Sequence, residues 1–134
     1  MADELVAIDL TDDERHFMFH AINEYGGSAK QAKPLLTPLL GLSNEDEWYD
    51  LYGRLREAIR NKEPLSDLDW ARALFLTEIS FGSDLVGSGL DLAPSLDGKW
   101  IVLLRSIQRK VSNYSRFLLL LENSKCRPAE SGQA

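Results

Sequence analysis

The sequence predicts an all-α protein, a single-domain orthogonal bundle of about five helices with a long C-terminal helix. Three observations carry this expectation. Apolar residues recur at steps of three and four, Ser or Thr stands three positions before an acid at two helix starts, and period-two alternation is absent. The 134 residues suffice for one domain and are too few for two cores. With 44% apolar side chains the chain has the material to fold without staples or metals. Connectors ranging from about two residues to more than ten favour an orthogonal over an up-and-down arrangement.

The first helix is expected over Asp12 to Tyr25. Thr11 and Glu14 form a capping box, Asp12 and Asp13 feed acid to the positive end of the helix dipole, and Phe17, Ala21, Ile22 and Tyr25 make the apolar stripe. Gly26-Gly27 supplies a left-handed stop. Ser28 caps a short second helix, kinked by Pro34 and Pro38 and ending near Gly41. Ser43 caps a third, with Asn44, Glu45, Asp46 and Glu47 in its first turn, Trp48, Leu51, Tyr52, Leu55 and Ile59 inward, and an end before Pro64.

Ser66, with Asp69 three residues on, opens a fourth helix. Its Trp70, Ala71, Leu74, Phe75, Leu76 and Ile79 are apolar on more than one face, which marks it as the central helix. Gly82, Gly87 and Gly89 then interrupt Phe81 to Pro94, the longest irregular segment. From Ser95, Trp100, Leu104, Ile107, Val111, Tyr114, Leu118 and Leu121 alternate steps of four and three. One helix unbroken to Glu122 would be about 40 Å long at 1.5 Å per residue. The expected domain is residues 1–123. Residues 124–134 lack apolar anchors and read as a disordered tail.

The net charge of −6 conceals an asymmetry: residues 1–95 carry 8 basic and 18 acidic side chains, and residues 96–134 carry 7 and 3. An acidic body repels phosphate backbones and attracts basic partners. The single cysteine, Cys126, excludes a disulfide framework and a cysteine-rich zinc site and makes the cytoplasm the expected compartment. Met1 to Leu10 carries Asp3, Glu4 and Asp9 and is no secretory signal. The longest apolar run, Phe117 to Leu121, is far shorter than the roughly twenty residues a bilayer demands, so no membrane is expected.

No catalytic residue, cofactor or metal is predicted. His16, His20 and Glu24 share one helical stripe, but Phe17 and Met18 follow the first histidine where a metalloprotease motif needs glutamate, so the stripe reads as a solvated polar face. Gly82 and Gly87 have the interval of a phosphate-binding loop, yet Ser88 stands where that loop needs lysine and a helix precedes it where a strand should. Glu78, Asp84, Ser88 and Asp91 remain as candidate ligand-binding residues, oxygen donors beside glycine-rich backbone. A nucleophile lacks its base, because Cys126 lies in the tail and both histidines lie on the first helix.

Leu10-Thr11 before the first helix, Gly26-Gly27, and Leu39-Leu40-Gly41-Leu42-Ser43 before the third resemble, in order and spacing, the tri-helical core of helix-turn-helix regulators over about 50 residues. The resemblance implies that the start of the third helix enters the major groove. Here that start offers Glu45, Asp46, Glu47 and Asp50, which repel phosphate, so nucleic acid is an unfavoured partner. The resemblance then leaves a degenerate regulator, with any DNA contact moved to Arg105, Arg109, Lys110 and Arg116.

The leading expectation is a non-enzymatic protein-protein interaction module, an acidic inhibitor, immunity or adaptor type protein that docks on a basic partner. Its partner-binding residues are Glu45, Asp46, Glu47, Trp48, Tyr49 and Asp50, an aromatic anchor with an acidic rim. A small-ligand binder or enzyme using the Glu78 to Asp91 segment is the further alternative. Homodimerisation is expected through Tyr114, Phe117, Leu118 and Leu121, since Phe117 to Leu121 is apolar on every face.

Overall fold

A computed structural model of the chain describes residues 4–27, 29–88 and 97–125. The described residues are mostly helical. The elements are β1 (Leu5–Val6), α1 (Asp12–Asn23), α2 (Lys33–Leu39), α3 (Glu45–Arg60), β2 (Leu65–Ser66), α4 (Asp67–Gly82), α5 (Asp97–Val111) and α6 (Tyr114–Asn123). Short 3-10 turns at Glu24–Gly26 and Lys30–Ala32 link α1 to α2.

Local capping chemistry sets most helix starts. Thr11 Oγ1 accepts the Glu14 N–H and the Glu14 carboxylate accepts the Thr11 N–H, closing the predicted box. Ser66 Oγ accepts the Asp69 N–H at 3.1 Å and starts α4. The cap of α3 falls one residue later than expected. Asn44, in extended backbone, accepts the Glu47 N–H, while the Ser43 N–H donates to the Glu47 carboxylate. Both are good capping residues.

Gly26-Gly27 is not a left-handed stop, because the chain tightens into the 3-10 turn and Gly27 has φ −130°. Gly26 has a different role: a Cβ there would meet the Tyr52 hydroxyl, which donates to the Asn23 carbonyl and would have to move aside. The predicted cap Ser28 lies outside the described residues. α2 ends as expected near Gly41, which holds φ +80°.

α4 is the central helix, with Trp70, Ala71, Ala73, Leu74, Leu76 and Thr77 all buried. It packs against α1, α5 and α6, and α1 also packs on α3. One hydrophobic cluster runs from Phe17, Met18 and Ile22 through Leu36, Trp48, Leu55 and Trp70 to Ile107 and Val111. Against the all-α expectation, β1 and β2 form a two-stranded antiparallel pair, Leu5 opposite Ser66 and Val6 opposite Leu65. Two residues are too few to show alternation in sequence. Trp70 Nε1 donates to the Val6 carbonyl at 2.8 Å and fastens the pair to α4.

The expected long C-terminal helix is broken at Ser112-Asn113, which raises the number of α-helices among the described residues to six. Asn113 adopts extended backbone and accepts the Arg116 N–H at 2.8 Å, capping a new helix. Arg116 then secures the bend, donating from Nη1 to the Val111 carbonyl at the end of α5 and from Nε to Asp67 at the start of α4, both at 2.9 Å. The bend turns α6 back onto α4. At its far end the Lys125 N–H donates to the Pro38 carbonyl, and Gly41 lies so close to Asn123 that a Cβ would strike the Asn123 carbonyl.

Candidate functional site

The first turn of α3 gathers exposed acid. Glu45, Asp46, Glu47, Tyr49 and Asp50 face solvent. Of the two aromatic residues expected to form the anchor, Trp48 is only 1% exposed and sits edge-on to Tyr25 in the core. Its stripe with Leu51, Leu55 and Ile59 takes it inward. The other, Tyr49, presents the aromatic surface, at 53% exposure. Lys33 is buried beneath it, with Nζ 2.8 Å from the Tyr49 hydroxyl and 4.2 Å from the ring centroid. That contact holds the ring against the domain.

Glu47 is used within the turn, on the Ser43 N–H. The side chains of Glu45, Asp46 and Asp50 make no hydrogen bond or close ion pair with the described residues. Asp50 adds to the field on Arg54, whose guanidinium is held above its ordinary value, chiefly by its hydrogen bond to Asp69 and against the effect of burial. Asp69 also takes Arg72 at 3.1 Å, so the close ion pairs of both arginines among the described residues are with Asp69, and Asp50 acts on Arg54 only through its charge.

The basic C-terminal segment is largely committed within the chain. Lys110 binds Glu14 and the Asp9 carbonyl, Arg116 binds Asp67, and Arg105 binds Gln108. Arg109 alone of the four has no partner among the described residues. A nucleic-acid footprint needs such side chains free for phosphate, so the arrangement does not favour the regulator reading.

Of the predicted ligand group, Glu78, Asp84 and Ser88 lie among the described residues and meet different neighbours. Glu78 faces α5, where Gln108 Nε2 donates to its Oε2 at 2.6 Å. Ser88 lies against the end of α1, its hydroxyl donating to Glu24 and its N–H to the Ser80 carbonyl. Asp84 is in an exposed turn closed by the Ser83 hydroxyl, and Asp91 lies outside the described residues, as does Cys126. On the His16 stripe, the two Nε2 atoms are 3.1 Å apart, while Glu24 has turned toward Ser88. Among the described residues no group of three or more His, Cys, Asp or Glu could hold a metal ion.

Of the self-association residues, Tyr114, Phe117 and Leu121 are exposed and Leu118 is half-buried. Sequence reasoning passed over a cavity between α4 and the α5–α6 bend, lined by Leu74, Phe75, Glu78, Arg116, Phe117 and Leu120. It exists only because the last helix breaks, and the local signal for that break was Asn113. No helix among the described residues is long and apolar enough to cross a membrane. Comparison of the chain with protein-family models, with curated proteins and with solved structures finds no match.

Proposed function

We propose that the chain is a non-enzymatic interaction module that docks on a basic protein through the first turn of α3, in the manner of an acidic inhibitor, immunity protein or adaptor. The observation that carries this reading is the fixed Tyr49 ring beside the exposed Glu45, Asp46 and Asp50, which form no close ion pair among the described residues. A preset aromatic loses little freedom on binding, and uncompensated rim charge speeds encounter with a basic surface. On this reading the chain acts as a single orthogonal helical domain in the cytoplasm.

A homodimer through α6 is the accompanying proposal, supported by Tyr114, Phe117 and Leu121 at 72%, 53% and 46% exposure on a ten-residue helix.

The test is solution mass by light scattering at low and high salt, with mass spectrometry of whatever co-purifies. The expected result is a complex with a basic protein that high salt dissolves and that Glu45→Lys/Asp46→Lys or Tyr49→Ala weakens. A complex indifferent to salt and to these changes, or purified protein with nothing attached, overturns the reading.

A further inference from the structure

A cavity of about 270 Å³ opens between α4 and the bend joining α5 to α6. Its walls are mainly apolar: Leu74 and Phe75 from α4, Phe117 and Leu120 from α6. The volume falls just under the roughly 300–1,000 Å³ of sites for drug-sized ligands, the scale of one ring with a short side chain. Two charged side chains reach it, Glu78 and Arg116.

These two charges are not equivalent. Arg116 is consumed by the fold: its side chain is 12% exposed, its Nε lies 2.9 Å from Asp67, and its Nη1 caps the Val111 carbonyl. Glu78 has no counter-ion among the described residues. Its Oε2 accepts one hydrogen bond, from Gln108 Nε2, and Gln108 Oε1 is in turn held by Arg105 Nη1 at 2.8 Å. This chain fixes the carboxylate in place and leaves Oε1 without a partner among the described residues. An apolar slot flanked by two phenylalanines and carrying one uncompensated carboxylate suits a cation on an aromatic stem.

We propose that this cavity binds a small arylalkyl ammonium compound, its ring between Phe75 and Phe117 and its ammonium on Glu78 Oε1. The site is separate from the acidic turn of α3, so this inference does not depend on the docking proposal.

The full chain is titrated with 2-phenylethylamine, and with 2-phenylethanol, phenylacetate and butylamine as neutral, anionic and ring-free counterparts, while backbone amide shifts are followed by NMR. Shifts are expected to centre on Ser112, Asn113 and Phe117. The arylalkyl amine should bind about tenfold more tightly than the alcohol, the worth of one charge-assisted hydrogen bond, and phenylacetate should not saturate. Glu78→Gln, which can still accept from Gln108, should bring the amine down to the alcohol's affinity.

Equal binding of amine and alcohol overturns the role of Glu78. Tighter binding of phenylacetate would show that Arg116 sets the charge preference. Butylamine matching the aromatic amine would show a site for a lysine-like chain and not for a ring, and absent or scattered shifts would show no site at all; each refutes the proposal. The ligand series on the unaltered protein stands whether or not the variant folds.

Discussion

Lys110 Nζ lies 2.6 Å from Glu14 Oε1, joining the last turn of α5 to the first turn of α1. Glu14 is 2% exposed, and burial alone would raise its pKa. Hydrogen bonds from Lys110, the Ser106 hydroxyl and the Thr11 N–H, with the ammonium charge, outweigh burial and hold it at about 2. One carboxylate therefore caps a helix and cross-links another.

Acid should release this link. The folded protein binds the Glu14 proton less tightly than the unfolded chain, so the contribution is complete above the ordinary value of 4.5 and is lost as pH falls through about 2. It amounts to about 3 kcal/mol at neutral pH. Urea denaturation of the wild type and Glu14→Gln should show a gap that closes between pH 4.5 and 2. Curves that stay parallel over that range would refute the linkage.

Gly41→Ala should destabilise the protein by about 2 kcal/mol or more, combining the left-handed penalty with the clash against the Asn123 carbonyl. Amide exchange at Lys125, whose N–H is held by Pro38, should quicken more than exchange in α4. A loss of stability without that local effect would mean that backbone strain alone is responsible.

Tyr25→Phe should leave stability unchanged or raise it by about 1 kcal/mol. The hydroxyl is buried without a hydrogen-bond partner among the described residues, and burial pushes its pKa well above the ordinary value. The ring contact with Trp48 survives the change. Thermal melts that fall by several degrees would reveal a polar partner for the hydroxyl.

Leu121→Glu should yield a monomer from a wild type that self-associates at high concentration. Leu118→Glu should do the same, but Leu118 is half-buried and its replacement also disturbs packing, whereas Leu121 is exposed. Sedimentation of the wild type as a monomer at high concentration would refute the self-association.

Features fixed by neighbours in sequence were readable before the fold was known. Thr11 with Glu14 and Ser66 with Asp69 are contacts across three residues, and the broad apolar surface of Trp70 to Leu76 marks the centre of the bundle. The bend at Asn113 escaped because the apolar steps continue across it unchanged, while the ion pair that holds it joins Arg116 to Asp67, 49 residues away. The same spacing therefore has two fates: Leu104, Ile107 and Val111 enter the chain's own core, and Tyr114 and Leu121 stay outside. The acidic turn of α3 was legible as a patch, and the i, i+3, i+7 spacing of Trp48 with Leu51 and Leu55 is what turns Trp48 inward and leaves Tyr49 presented. Glu78 and Ser88, close along the chain, meet different neighbours, Gln108 on α5 and Glu24 at the end of α1, because α4 is packed on both sides.

The β1–β2 pair closes a loop of about sixty residues that contains α1, α2 and α3. Closing such a loop in a flexible chain costs about 3–4 kcal/mol, and a two-residue ladder returns only about 1 kcal/mol per hydrogen bond. The pair therefore cannot nucleate folding. It should zip up once α3 and α4 have set Leu65, Ser66 and Trp70 in place, and should open before the helices do. A force or a protease acting on the N-terminal segment would peel β1 from the indole of Trp70 while the helices remain assembled, so early exchange at Leu5 and Val6 would report unclasping and not unfolding.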